Sequence, residues 1–97
     1  MKSTSEILSL LSDYKNSSAQ KYGLTKIGIF GSVARGEHTE DSDVDICIEM
    51  THPDMFSMVH IKEDLQALLG ITVDIVRIRA NMNPVLLKQI RKDGVYA

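Results

Sequence analysis

Two acidic residues at alternate positions of one predicted strand are the first feature of this sequence that could do chemistry. Asp43 and Asp45 begin a stretch, residues 43–49, in which polar and apolar residues alternate, so both carboxylates leave the same face of the strand. Neighbouring carboxylates repel each other, and a divalent cation relieves that repulsion. Magnesium fits such a pair, because it is commonly held by one or two carboxylates together with phosphate oxygens. A solvated polar face on a half-exposed strand explains the pair equally well.

A third acid, Asp74, interrupts a segment rich in β-branched residues, residues 71–78. Aspartate is depleted in strands, so its presence here needs a reason. If this predicted strand lies beside the strand of Asp43 and Asp45, three carboxylates converge, as two-metal phosphoryl chemistry requires. The alternative is a solvent-facing residue on an edge strand.

A Gly-Ser pair directly follows another predicted strand, residues 25–30. Gly31 allows a sharp turn and a close approach of a ligand to the backbone. The backbone N–H groups of such a turn, together with the Ser32 hydroxyl, can bind phosphate oxygens. An ordinary Gly-Ser turn is the alternative interpretation.

Hydrophobic periodicity predicts the elements that must position these residues. We expect strands over residues 25–30, 43–49 and 71–78, a small-residue turn over residues 31–36 and a loop over residues 37–42. Helices are expected over residues 3–22, over residues 54–69 and after an Asn83-Pro84 cap, with Gly23, Gly70 and Gly94 ending them. The predicted core-facing stripe of the middle helix consists of Met58, Ile61, Leu65 and Leu68.

The element order helix, strand, strand, helix, strand, helix predicts an α+β fold, or α/β two-layer fold. A small mixed β-sheet of about three strands is covered by helices on one face, and the acids lie on the open face. The 97 residues correspond to one domain spanning residues 1–97.

Composition narrows the classes of function. Eleven Lys and Arg residues against 13 Asp and Glu residues give a net charge of −2, which disfavours a long nucleic-acid substrate. The single cysteine, Cys47, cannot form an internal disulfide and excludes a cysteine-rich zinc site. Without an apolar membrane segment or an N-terminal signal core, the expected location is cytoplasmic, with no membrane partner.

Some residues permit two interpretations. Met50, Met55 and Met58 could line a contact surface or fill the core. Arg77 and Arg79 could contact a phosphate or an acidic partner, or form a solvated strand end.

The run GSVARGE at residues 31–37, followed by SDVDI at residues 42–46, resembles the signature of the DNA polymerase β-like nucleotidyltransferase superfamily, and within it the minimal nucleotidyltransferases, the MNT or MntA-like group. The signature covers residues 31–46, and the element order fits nearly the whole chain.

The resemblance implies a role for each signature residue. Gly31 and Ser32 would bind the β- and γ-phosphates of ATP, and Asp43 and Asp45 would coordinate Mg²⁺, two ions in all. Asp74 would complete the second metal site and assist deprotonation of the attacking hydroxyl. Two further members of the signature are Arg35, a candidate nucleotide ligand, and Glu37. These two are expected to pair and fix the turn.

The resemblance further implies transfer of AMP to a tyrosine of a HEPN-domain toxin, with this chain as the antitoxin. One alternative is a binding antitoxin that neutralises its partner by contact alone. Another is a small-molecule nucleotidyltransferase, which is disfavoured because no second domain is present to hold the acceptor. The sequence leaves homo- or hetero-oligomer formation open.

Overall fold

A computed structural model describes residues 2–17, 19–39 and 41–97, apart from the side chains of residues 19 and 20, and these residues form four helices and four strands. The elements are α1 (Thr4–Ser17), a 3₁₀ turn (Ala19–Tyr22), β1 (Leu24–Phe30), α2 (Gly31–Arg35), β2 (Val44–Met50), α3 (Met55–Leu69), β3 (Val73–Arg77), α4 (Pro84–Asp93) and β4 (Val95–Tyr96).

One mixed sheet with the strand order β3-β2-β1-β4 organises these elements. β1 pairs antiparallel with both β2 and β4, whereas β2 pairs parallel with β3. The predicted α+β class is confirmed, but the sheet has a fourth strand that the sequence did not predict. β4 approaches β1 at Gly28, where an added Cβ would lie 2.7 Å from the Val95 carbonyl oxygen. A glycine inside a strand is the signal that could have indicated this close approach.

One face of the sheet carries the main core, against α1 and α3. The alternation predicted for β2 is confirmed, because Val44, Ile46 and Ile48 are fully buried in this core. α3 faces the core with Ile61, Leu65 and Leu69. The expected core residue Leu68 is instead 38% exposed, because the buried ridge of α3 follows i+4 rather than i+3 spacing.

The opposite face, which carries the acids, is partly covered by α4, contrary to the expectation of an open face. Phe30, Cys47, Met82 and Ile90 form a second buried cluster there. Cys47 shares this face with Asp45 but is apolar, so α4 can bury its apolar stripe against it. The face therefore stays accessible around the acids and is closed beyond them.

The predicted helix ends are largely confirmed. Glu6 N–H donates to Ser3 Oγ at 3.1 Å, and the Asn83 side chain accepts from Val85 N–H at 2.9 Å ahead of α4. Gly23 and Gly70 have positive φ angles of 71° and 70°. The helix expected over residues 3–22 divides into α1 and the 3₁₀ turn, with position 18 outside the described residues, as is position 40 of the predicted loop.

The helices of the described chain are too short or too polar for any of them to cross a lipid bilayer.

A partly buried hydrogen bond joins the two helices of the main core, because Tyr14 Oη donates to Asp64 Oδ2 at 2.8 Å. Tyr14→Phe should lower the free energy of unfolding by about 1–2 kcal/mol, since the acceptor is a carboxylate in a partly buried site. Chemical denaturation measures the change, with Tyr96→Phe at a half-exposed tyrosine as the matched control. Equal losses in the two variants would contradict the stabilising role of this bond.

Candidate active site

The register of the sheet places two of the predicted acids side by side. Asp45 on β2 is the Cα partner of Asp74 on β3, and neighbouring strands lie about 4.8 Å apart. Paired residues of adjacent strands project to the same face, so both carboxylates lie on the α4 side of the sheet. The condition set by the sequence is thereby met, because the two acidic strands are neighbours. Asp43 lies one residue before β2, at the exposed entrance to the same face.

Gly31 lies against one member of this pair, Asp45. A Cβ built on Gly31 would lie 2.5 Å from Asp45 Oδ2, so a side chain here would force the carboxylate to move. The φ angle of Gly31 is +72°, in the left-handed region that favours glycine. Both the φ angle and the lack of space favour glycine at this position. Because glycine has no side chain, the backbone of the predicted phosphate turn can lie against the carboxylate of Asp45.

The turn itself is a short helix that the surrounding chain holds in place. Gly36 N–H donates to the Val33 carbonyl at 3.1 Å, and Glu37 N–H donates to the Ser32 carbonyl at 2.9 Å. Thr4 Oγ1 donates to the Val33 carbonyl at 2.7 Å, which ties the turn to α1. At its other end the N-cap residue Phe30 provides no side-chain hydrogen bond. Phe30 therefore leaves the first-turn N–H groups of α2 uncapped, and these groups can serve a phosphate.

The charge on Asp45 is disfavoured where it stands. Burial is the largest cause that raises the pKa of its carboxyl group, and the nearby charges of Asp74 and Asp43 raise it further, while Arg35 lowers it. A divalent cation would relieve both the desolvation and the repulsion, and an all-oxygen donor set suits Mg²⁺. The acids thus fit the predicted metal. Among the described residues no three His, Cys, Asp or Glu side chains already surround one point closely enough to hold an ion. The metal-binding role of Asp43, Asp45 and Asp74 therefore stays a prediction.

Arg35 pairs with Glu37, as the sequence predicted, and with a second acid that it did not predict. Arg35 Nε lies 3.2 Å from Glu37 Oε2, and Arg35 Nη1 lies 2.9 Å from Asp93 Oδ2. Asp93 is the last residue of α4, 58 positions away, so no local pattern could indicate it. Arg35 therefore links the turn of residues 31–36 to the end of α4. Direct contact between Arg35 and the nucleotide stays a prediction.

Cys47 shares the acid face, but its surroundings exclude it as a nucleophile at neutral pH. The residue is fully buried, and burial raises the pKa of its thiol to about 11. A thiol with so high a pKa holds its proton and is unreactive. Cys47 instead packs against α4.

A cavity of about 590 Å³ opens beside the acids. Asp45 and Asp74 lie in its wall together with apolar side chains of α3, α4 and the adjoining strands, among them Phe30, Met55 and Leu86. The sequence did not indicate Phe30 as a wall of the site, because its position in a predicted strand is equally typical of the core.

Comparison with known sequences gives one consistent family. A family model described as a nucleotidyltransferase domain matches residues 11–97. Protein adenylyltransferase MntA of Thermococcus cleftensis is 37% identical over 92 residues, which cover 94% of this chain and 92% of that protein. A chain of Methanocaldococcus jannaschii, provisionally named a protein adenylyltransferase, is 42% identical over 97 residues and matches over 99% of both chains.

Solved structures show the same fold. A chain of a toxin–antitoxin complex with AMP-PNP superposes with a TM-score of 0.69 at 28% identity, covering 96% of this chain and 70% of that one. A chain from the complex of a tri-AMPylated HEPN toxin of Shewanella oneidensis with its MNT antitoxin has a TM-score of 0.60 at 26% identity, covering 96% and 66%. The predicted resemblance to minimal nucleotidyltransferases is confirmed.

Replacement of Gly31 separates backbone strain from damage to the site. Gly31→Ala and Gly36→Ala should each lower the free energy of unfolding by about 1–2 kcal/mol, because both glycines have a left-handed φ angle. Nothing lies within 4 Å of a Cβ at Gly36, so only Gly31→Ala displaces the Asp45 carboxylate.

Calorimetric titration with Mg²⁺ and α,β-methylene-ATP tests the difference between these variants. We expect at least a tenfold loss of affinity for Gly31→Ala and less than a twofold loss for Gly36→Ala. Equal affinities would show that the contact between Gly31 and Asp45 does not matter for the ligand.

The raised pKa of Asp45 predicts a pH-dependent cost to stability. An acid whose pKa is higher in the folded than in the unfolded chain carries no penalty at low pH, and stability is lost as the pH rises past its unfolded value of 3.8. Without divalent cations, Asp45→Asn should therefore raise the denaturation midpoint at pH 7, and this gain should vanish near pH 3. Asp41→Asn, at an exposed aspartate nearby, is the control. A lower midpoint for Asp45→Asn at pH 7 would contradict the electrostatic account.

Proposed function

Because the chain belongs to the nucleotidyltransferase family, we propose that it transfers AMP from ATP to a tyrosine hydroxyl of a HEPN-domain toxin and acts as the antitoxin of the pair. The observation that carries this proposal is the juxtaposition of a glycine turn and two acids: Asp45 contacts Gly31 and is paired in register with Asp74. A triphosphate bound at the turn would place its reacting phosphorus beside the carboxylates.

Each residue of the site has a distinct task in the proposed reaction. The backbone N–H groups of Gly31 and Ser32, with the Ser32 hydroxyl, bind the β- and γ-phosphates. Asp43, Asp45 and Asp74 hold Mg²⁺, which when bound supplies positive charge that lowers the pKa of the attacking hydroxyl and stabilises the leaving oxygens.

The bond changes in the proposed reaction balance without a further reactant. The acceptor oxygen forms a bond to the α-phosphorus, and the bond from that phosphorus to the oxygen bridging to the β-phosphate breaks, so pyrophosphate leaves. Asp74, exposed at the mouth of the site, receives the hydroxyl proton. Arg35, held by Glu37 and Asp93, keeps the turn in position.

Two properties of the chain support a protein acceptor. The net charge is −2, so the protein lacks the basic excess that a nucleic-acid acceptor would favour. The cavity beside the acids is open and is lined largely by apolar side chains, which suits a segment of a folded partner better than a highly charged small molecule. Among the related complexes, one contains an AMPylated HEPN toxin.

The proposal predicts that a HEPN-domain protein co-expressed with this chain gains the mass of one or more AMP units, seen by intact mass spectrometry. Asp43→Asn combined with Asp45→Asn should lower the transfer rate by at least about 100-fold. The reason is that the cation these carboxylates would bind stabilises the transition state by several kcal/mol. Asp41→Asn removes the same charge from an exposed position in the preceding loop and serves as the control.

Two outcomes would oppose the proposal. A double variant that neutralises the toxin fully, with no AMP on the partner of the wild-type protein, would favour a binding antitoxin without catalysis. Transfer of AMP to small hydroxyl compounds, but not to the HEPN protein, would favour a small-molecule nucleotidyltransferase.

A further inference from the structure

Beside the acids, one edge of the sheet carries no further strand among the described residues. Within the described chain β3 pairs only with β2 and stands at the end of the strand order. Val44 N–H donates to the Thr72 carbonyl, and Ile78 N–H donates to the Ile48 carbonyl. Because backbone groups alternate in direction along a strand, the N–H and C=O groups of Asp74 and Val76 also face β2.

The remaining backbone groups of β3 point away from the sheet. They belong to Val73, Ile75 and Arg77. Gln66 Oε1 accepts the Val73 N–H at 3.2 Å, which closes the beginning of this edge. Ile75 and Arg77 are left to offer their N–H and C=O groups to another strand.

A groove follows this free edge. The cavity of about 590 Å³ beside Asp45 and Asp74 adjoins a second cavity of about 550 Å³ that reaches Arg77 and Arg79. The two cavities share wall residues from α3, β3 and α4, and we call the combined feature the edge groove. Its shared walls are Met55, Met58, Ile75, Val76 and Leu86.

The rim of the edge groove is apolar and exposed. On α3, Met55 is 76% exposed and Val59, one turn further, is 50% exposed. On α4, Val85 is 69% exposed and directly precedes the wall residue Leu86. Exposed apolar side chains that cluster around a groove are typical of an interaction site. Met55 is therefore a surface residue, Met50 fills the core, and Met58 is intermediate.

We propose that the edge groove binds an extended, tyrosine-bearing segment of the partner protein as an additional strand beside β3. This inference rests on the proposed function, because the acceptor is then a protein whose hydroxyl must reach Asp45 and Asp74, where the groove begins. Main-chain bonds to Ile75 and Arg77 provide affinity, as in other cases of strand addition.

The walls of the groove set the character of the bound segment. Successive side chains of an added strand point alternately toward α3 and toward α4, and both helices present apolar side chains there. At the far end Arg77 and Arg79 outnumber the acid Asp54. The Asp54 carboxylate already accepts hydrogen bonds from Phe56 N–H and Ser57 Oγ, so positive charge prevails there. The segment therefore carries apolar residues near its tyrosine and an acidic residue toward the Arg79 end of the groove.

Binding of the HEPN-domain protein from the transfer assay, titrated without ATP, tests this surface independently of catalysis. Val59→Asp should weaken binding by at least about tenfold, because a carboxylate would then be desolvated against apolar groups. Leu68→Asp is the matched control: it lies on the same helix and is 38% exposed, but it lies about 13 Å further along the axis. Less than a twofold change is expected for Leu68→Asp.

Two results of the same titrations would overturn the assignment. A greater loss of affinity for α,β-methylene-ATP than for the partner in Val59→Asp would assign the groove to the nucleotide. Self-association of the wild-type chain that Val59→Asp abolishes, with partner affinity unchanged, would assign the groove to a second copy.

Amide hydrogen exchange in the complex tests the strand addition itself. The N–H groups of Ile75 and Arg77 should exchange at least about tenfold more slowly when the partner is bound, whereas Asp74 and Val76 should change less. Unchanged exchange at Ile75 and Arg77 would overturn the strand addition.

Failure of this inference is distinguishable from failure of the proposed function. If Val59→Asp retains full AMP transfer and unaltered affinity for the partner, only the assignment of the edge groove to the partner is refuted. If Val59→Asp weakens binding of the partner but the wild-type protein transfers no AMP, the proposed catalysis is refuted. The assignment of the edge groove to the partner is then supported.

Discussion

The close approach of Asp45 to both Gly31 and Asp74 is the constraint on which the site depends. Desolvation and two neighbouring acids disfavour the charge of Asp45, so at neutral pH the folded chain holds a carboxylate at a cost that a bound cation would relieve. The fold enforces this arrangement through the parallel register of β2 with β3 and through a glycine whose φ angle and missing side chain admit the carboxylate. Stability is given up at the position where the proposed chemistry needs charge.

The remaining structure holds this arrangement in place from several sides. The main core fixes β2 against α1 and α3, and Thr4 ties α1 to the glycine turn. Arg35 connects the turn to the end of α4 through Asp93. α4 covers the acid face beyond the site and leaves the region of Asp45 and Asp74 accessible. The unpaired edge of β3 then extends the site outward, along the groove proposed to receive the acceptor.

Local patterns predicted most of this architecture, because their causes are local. The alternation of residues 43–49 reflects one buried face, and the Ser3 and Asn83 caps satisfy backbone groups within one turn. The adjacency of Asp45 and Asp74 was conditional in the sequence and became a fact only with the strand order.

The features that were missed depend on distant residues. Asp93 meets Arg35 across 58 positions, and β4 has only two residues, too few for a periodic pattern. α4 covers part of the acid face because Cys47 gives that face an apolar position. One apolar residue among acids is too weak a pattern to predict a second core. Leu69, and not Leu68, faces the main core from α3. Both residues fit a helical spacing, and only tertiary packing decides between them.

The glycine turn and the three acids are proposed to form one site for a metal-bound triphosphate. Paramagnetic broadening of backbone amide signals by Mn²⁺, with α,β-methylene-ATP present, measures this most directly. The strongest broadening is expected at Gly31, Ser32, Asp43, Asp45 and Asp74, with little effect at Leu68 on the far part of α3. Strong broadening elsewhere on the chain, with these five signals unaffected, would contradict it.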